Sequence, residues 1–367
     1  MKYIDEYRNP DLVRGLLDAV SICAAGIIRE VTLMEICGTH THAIGRYGIR
    51  RLLPKNLRLI SGPGCPVCVT SIADVDRALY LARLPDVIFA TFGDMLRVPG
   101  TGGESLQHLR AAGADVRIIS SAADAVRCAA ENPGKQVILM GIGFETTTPT
   151  VAAAILSARR KGVENFSVFS AHKTVPQAIR ALIEDPELKI DGFICPGHVS
   201  VITGVEAYRM IPKAGRAAVI TGFEPADVME GILMILRQIV EGRYEVAIQY
   251  VRGPKAEGNP KAREIMAEVF EPDDAEWRGL GVIPGSGLRI RREYEGFDAL
   301  KRFALPQIRS IEFRGCRCGE ILRGVMSPAE CPMFMKACTP ANPVGPCMVS
   351  GEGTCAAYYK YERTSDR

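Results

Sequence analysis

No apolar run in this 367-residue chain approaches the roughly 18 residues that a membrane span needs. The first ten residues, MKYIDEYRNP, are polar and partly acidic and lack the basic-then-apolar order of a signal peptide. Strong charge of either sign is missing too: the net charge of +3 is too small to suggest nucleic acid or an anionic membrane as a partner. There is no GxxxxGK[ST] loop for phosphate, and neither GIG at 141–143 nor GTGG at 100–103 completes a GxGxxG fingerprint. No nucleophile elbow, no C-x3-C-x2-C set and no ferredoxin-type C-x2-C-x2-C run is found. These absences leave a cytoplasmic protein of two or three domains that binds neither nucleic acid nor membrane.

Cysteine is what the chain has in excess. Twelve is a high number for a reducing compartment, where such residues more often bind metal or react than form structural disulfides. Cys316, Cys318, Cys331, Cys338, Cys347 and Cys355 fall within the last 52 residues, and the other six are spread over the preceding 315. The C-terminal segment follows its own plan.

From residue 31 to about 251, short β-branched apolar runs alternate with stretches of helical length. VTLMEI (31–36), LRLI (57–60), DVIFAT (86–91), VRII (116–119) and QVILMG (136–141) read as strands, followed by FSVFS (166–170), DGFIC (191–195), AAVIT (217–221) and YEVAIQ (244–249). This rhythm predicts an α/β fold with parallel sheets. LMEICGTHTHAI at 33–44 parallels LMGIGFETTTPT at 139–150, and CPVCVTSIADVD at 65–76 parallels CPGHVSVITGVE at 195–206. FATFGDM at 89–95 likewise parallels VITGFEP at 219–225. Two related halves are expected, 31–122 and 123–243, the second enlarged by one βα unit at 166–185. A helical segment, 1–30, precedes them and is expected to pack on the C-terminal domain. Residues 244–367 turn Gly/Pro-rich and then cysteine-rich, and are expected to form a less regular domain stapled by a cofactor.

The chemistry-bearing residues cluster in loops that follow predicted strands, where open parallel sheets bind ligands. CGTHTH brings together Cys37, His40 and His42. A thiolate and a neutral imidazole suit iron, zinc or copper, or form a nucleophile–base pair. In an extended segment His40 and His42 would share one side, with Cys37 on the other unless the loop turns at Gly38. The bland alternative is a helix N-terminus capped by Thr39 or Thr41. Cys65-Pro-Val-Cys68 has redox-dithiol spacing. Zinc is the second reading and would need two more ligands, with Cys195 and His198 conceivable, and an inert turn is the third. Of the six C-terminal thiols, four could hold a [4Fe-4S] cluster and leave a dithiol pair beside it, although spacing alone admits zinc as readily. His172 reads as a satisfied turn residue. Glu145 is either a ligand-orienting group or part of a capping network with Thr146, Thr147 and Thr148. Cys23, Cys128 and Cys195 read as buried small hydrophobes.

CGTHTH, GPGCPVC, GFETTTP, SAHKTVP, CPGHVS, TGFEP, PGSGLR and the tail CTPANPVGPCMVSGEGTCAAYY, in this order over essentially the whole chain, closely resemble the HypD family of [NiFe]-hydrogenase maturation proteins. The resemblance implies two Rossmann-like domains and a third carrying a [4Fe-4S] cluster. It implies an assembly scaffold with redox activity rather than an enzyme of conventional turnover. Such a scaffold works with a HypC-type chaperone to build the Fe(CN)2CO unit and accepts cyanide from a HypE-type partner. Cys37 would then ligate the Fe(II), with His40 as ligand or proton donor, and Cys65 and Cys68 would be the redox dithiol of the cleft. On the pattern of ferredoxin–thioredoxin reductases, Cys316, Cys331, Cys338 and Cys355 would hold the cluster, with Cys318 and Cys347 as the neighbouring redox pair. The competing functions are an iron–sulfur-dependent disulfide reductase and a zinc-stabilised binding module.

Overall fold

The computed structural model describes residues 4–362. Its strands run β1 (Val31–Glu35), β2 (Leu57–Ser61), β3 (Val87–Thr91), β4 (Val116–Ile118), β5 (Gln136–Gly141), β6 (Phe166–Ser170), β7 (Gly192–Pro196), β8 (Ala217–Thr221), β9 (Val246–Ile248), β10 (Phe270–Trp277) and β11 (Gly281–Ile290). Each of the nine apolar runs read as strands lies on one of β1 to β9. β3, β7 and β8 are buried at every position, as central strands covered on both faces require. Among the described residues no helix is long and apolar enough to cross a membrane.

Two parallel sheets result, in the orders β2-β1-β7-β8-β9 and β4-β3-β5-β6. Counted within each sheet, both begin 2-1-3-4, the doubly wound order with a switch point between its first and third strands. The two domains are therefore alike in topology, but they are not the expected halves. β1 pairs with β7, Leu33 opposite Gly192, so residues 31–61 and 192–248 share one sheet and residues 87–170 form the other as an insertion. β1 is buried at four of its five positions, as a central strand is, and its backbone pairs with β2 on one edge and β7 on the other. The repeat alignment fails for the same reason: the CPVC and CPGH loops follow β2 and β7 of a single sheet. Nor is the 166–185 stretch an extra unit. It is β6 and the helix Val175–Glu184, while the longer sheet is the discontinuous one, completed by β9, which a boundary at 243 would cut off.

The helix Pro10–Ala25 packs chiefly on the first sheet's domain rather than on the C-terminal one, although Tyr7 of the same segment lies under Arg252. Asn9 caps it, and its Val20 and Ala24, one turn apart, bury against Val228 and Ile232 of the helix Pro225–Glu241. Full burial of an aliphatic side chain is worth about 1.5–3 kcal/mol, enough for this stripe to decide where the helix docks. Arg8 pairs with Glu224 at the same junction.

Beyond β9 the chain first serves the inserted domain. The helix Pro260–Val269 and the antiparallel β10–β11 hairpin pack there, with Lys173 bridging to Gly287. From residue 303 to 317 there is no regular helix or strand, and the cysteine-bearing segment then returns to the first sheet. Its last helix, Thr354–Tyr361, lies against the helix Gly38–Arg46, and its thiols join one apolar core with Met34, Ile36, Cys65 and Cys68.

Candidate functional site

The crevice at the β1/β7 switch point is built by the loops that follow those strands. Cys37 is the N-cap of the helix Gly38–Arg46, so the chain is helical, not extended, through Thr39–His42. His40 and His42 consequently point apart. The backbone N–H groups of His40 and Thr39 favour the Cys37 thiolate, as at any helix N-terminus. Burial opposes them, helped by the negative charges of Glu352 and Glu35, and it wins: the thiol is pushed up to about 12. Neither threonine caps the helix. Thr39 donates its hydroxyl to Glu352 at 2.7 Å, and Thr41 donates to Glu35.

His40 is buried, and its Nε2–H donates to the Gly222 carbonyl at 2.9 Å. That bond fixes the tautomer and leaves Nδ1 a bare acceptor with no partner. Burial lowers its pKa to about 4, so the ring is neutral. Phe223 lies between His40 and His198, with ring centroids at 4.6 Å and 3.9 Å. His42 instead donates to the Gly351 carbonyl and accepts from Tyr361. Beneath the loop the fully buried Glu35 accepts the Cys37 N–H at 3.0 Å, and desolvation raises its carboxyl to about 7.

The second loop presses directly on the first. A Cβ on Gly64 would lie 2.2 Å from the Cys37 nitrogen, so only glycine lets GPGCPVC approach this closely, and Gly38 donates to the Gly64 carbonyl at 3.0 Å. Cys65 caps the single turn Pro66–Val69, its sulfur accepting the Cys68 N–H, and the two Sγ atoms are 2.6 Å apart. Both thiols are buried, and desolvation raises that of Cys68.

Cys68 touches a third thiol, Cys347, which in turn meets Cys318 and Cys355. The hydrogen bonds from Cys318, Cys355 and Cys68 converge on Cys347 and favour its ionised form. Cys316, Cys318, Cys331, Cys338 and Cys355 line one cavity together with Met333, Phe334, Val344 and Met348. Gly345 closes it: a Cβ there would meet the sulfurs of Cys316 and Cys318 at 2.5 Å and 2.7 Å. Cys347 stands outside this lining, between the cavity and Cys68. Among the described residues no three His, Cys, Asp or Glu side chains close around a single ion. Thiol donors spread around a small apolar volume suit a cluster of several irons better than one zinc.

The other singled-out residues lie elsewhere. Cys195 is buried inside β7 with its sulfur on the Phe193 carbonyl, as a small hydrophobe would be, and it does not join His198 in a composite site. Cys23 and Cys128 are only partly buried, and Cys128 accepts from Arg117 at 3.3 Å, so neither is the core filler expected. His172 is buried in the inserted domain with Nδ1 on Ser170 and Nε2 unpartnered, not a satisfied turn residue. Glu145 accepts the Val175 N–H at 3.1 Å and so holds the start of the helix Val175–Glu184. Thr147 and Thr148 bond the Phe144 carbonyl in the turn beside it. Sequence reasoning missed Glu35, Glu352 and Phe223. Glu352 stands 315 positions from Cys37 and carries no spacing signal that could have linked the two.

A profile of the HypD family, described as "Hydrogenase formation hypA family", matches residues 11–362. The hydrogenase maturation factor HypD of Azotobacter vinelandii is 49% identical over 370 residues, covering 99% of this chain and 97% of its own. The factor of the same name from Cupriavidus necator is 47% identical over 374 residues, 100% and 98% of the two chains. That of Escherichia coli K12 is 42% identical over 369 residues, 99% of each. Identity of this order, sustained from end to end, makes the chain a member of the HypD hydrogenase-formation family.

Proposed function

We propose that this protein is a hydrogenase maturation scaffold that holds iron in the β1/β7 crevice while its cyanide and carbonyl ligands are added. The observation that carries the reading is the placement of Cys37 and a neutral His40 with a free Nδ1 at the start of one helix, at the switch point that a continuous file of thiols approaches. The iron of the Fe(CN)2CO unit is the cargo. Cys37 supplies a thiolate to it, and His40 offers a lone pair or, once protonated, a proton. A HypC-type chaperone would complete the iron site from outside, and a HypE-type partner would deliver cyanide to the open side of the crevice.

The six C-terminal cysteines and the Cys65–Cys68 pair serve redox. Cys316, Cys331, Cys338 and Cys355 would hold a [4Fe-4S] cluster, whose chemistry is one-electron transfer. Cys318 and Cys347, in mutual contact, form the dithiol next to it, and Cys347 hands on to Cys68 and Cys65 by thiol–disulfide exchange. Cyanide and carbon monoxide favour low-spin Fe(II), so a reducing file ending beside Cys37 keeps the cargo in the state its ligands require.

A disulfide reductase acting on another protein would use the same thiol file, but it leaves Cys37 and His40 without work. The test is an infrared spectrum of the protein mixed anaerobically with its HypC-type chaperone. Cyanide and carbonyl stretching bands that vanish in Cys37→Ala are expected. A fully active complex without such bands would overturn the scaffold and favour the reductase.

A further inference from the structure

We propose that the exposed face formed by Arg309–Arg314 and Met335–Lys336 is the docking surface for a small acidic electron-carrier protein. This rests on the redox role set out above and says where the electrons enter.

The thiol file has a closed end and an open one. Cys65 and Cys68 are buried at the crevice, and Cys318, Cys338, Cys347 and Cys355 are buried behind them. Cys316 and Cys331 are only partly buried, so a carrier can approach the file from that side. Apolar side chains are exposed at this end: Ile311 is 51% exposed, Phe313 56% and Met335 46%. They are tied to the thiol residues. Cys316 donates its N–H to the Phe313 carbonyl at 3.0 Å, and Met335 donates to the Cys338 carbonyl at 3.2 Å. Between this strap and the Thr101–Gly103 turn a groove runs inward to Val344, which also lines the thiol cavity.

Most acidic groups near this strap are engaged, and Asp76, which with Glu276 acts on Glu312, is held by the Thr101 N–H and hydroxyl. Glu312 is engaged by Arg278, Glu320 by Arg317, and Glu330 by the Ser327 N–H. Arg309, Arg314 and Lys336 are exposed and have no ion pair among the described residues. Arg278, buried at the groove, spends its charge on Glu312 and keeps an Nη2 without an acceptor. An apolar centre ringed by uncompensated basic groups is the complement of an acidic, apolar-centred carrier. A patch this small suits the brief encounters of electron transfer, steered by charge and weakened by salt. Reducing one disulfide, Cys318–Cys347 or Cys65–Cys68, breaks its S–S bond and forms two thiols. It takes two electrons from two encounters with the reduced carrier, which leaves oxidised each time, and two protons from water.

The experiment uses anaerobically reconstituted full-length protein and reduced ferredoxin as the probe, with the reduction rate followed by stopped-flow absorbance. The triple variant Arg309→Glu, Arg314→Glu, Lys336→Glu should react at least about tenfold more slowly, and the wild-type rate should fall steeply with salt. Reduction by dithionite should be unchanged, which shows that the variant is folded and loaded. Calorimetric binding of oxidised ferredoxin at low salt should weaken in parallel. A triple variant reduced by ferredoxin at the wild-type rate, or an equal slowing in a control carrying Arg209→Glu and Lys213→Glu, would overturn the proposal. If reconstitution yields no visible chromophore, the redox reading itself fails, and the calorimetry still decides for or against the docking face.

Discussion

The two parallel sheets begin with the same strand order, yet their switch points do opposite things. At the β1/β7 crevice the loops present Cys37, a half-satisfied His40 and His198, side chains with chemistry to spare. At the β3/β5 crevice the loops are consumed by packing. Asp94 accepts the hydroxyl of Ser350, Arg97 donates to the carbonyls of Pro340 and Val349, and Phe144 stacks on Trp277 with centroids 5.8 Å apart. One domain thus carries the proposed cargo site and the other anchors the C-terminal thiols against it. The same fold supplies a crevice twice, and the side chains on its loops decide which becomes a site.

The sharpest break in that comparison is expected from the dithiol. Replacing Cys65 or Cys68 by serine should abolish hydrogenase maturation while leaving intact the visible absorption expected of the proposed C-terminal cluster. Loss of both together would instead make the pair a structural part of the cluster. Next comes Phe144→Ala on the anchoring side. Emptying that buried ring site should cost about 3–5 kcal/mol in urea unfolding. A loss of activity without a loss of stability would give the second switch point a chemical role.

Glu145 offers a finer test. Desolvation raises its carboxyl from 4.5 to about 7, so folding takes up a proton there. Its stabilising contribution is complete below pH 4.5 and is lost as pH rises through 7. In Glu145→Gln that loss disappears, and between pH 5 and pH 8 the variant should gain on the wild type by on the order of 1–3 kcal/mol. Equal differences at the two pH values would contradict the assignment. The smallest effects are expected at Cys23→Ser and Cys128→Ser, within about 0.5 kcal/mol, because both side chains are partly exposed and outside the thiol file.

The strands were legible because each is a compact β-branched run, and the loops were legible because cysteine and histidine are not turn residues. How the strands pair was not. Nothing local to LMEI says that its partner is FICP, 160 residues on, rather than VIFA close by, since all three are simply apolar. The β10–β11 hairpin was missed as well: Pro272 with Asp273 and Asp274 interrupts one strand, and Pro284 with three glycines dilutes the other. In the site, CGTHTH admits an extended and a helical reading from sequence, and the structure takes the helical one. The helix separates His42 from His40 and leaves only the latter in the crevice. The file from Cys68 through Cys347 to the C-terminal cavity depends on tertiary contacts across almost 280 residues, which spacing does not encode.

The division of labour between the two switch points is tested most directly by one infrared experiment on three proteins. Complexes with the HypC-type chaperone are prepared from the wild type, Cys37→Ala and Asp94→Asn. Cyanide and carbonyl bands should appear in the wild type and in Asp94→Asn and be absent from Cys37→Ala. Bands that persist in Cys37→Ala, or that vanish from a folded Asp94→Asn, would contradict the account.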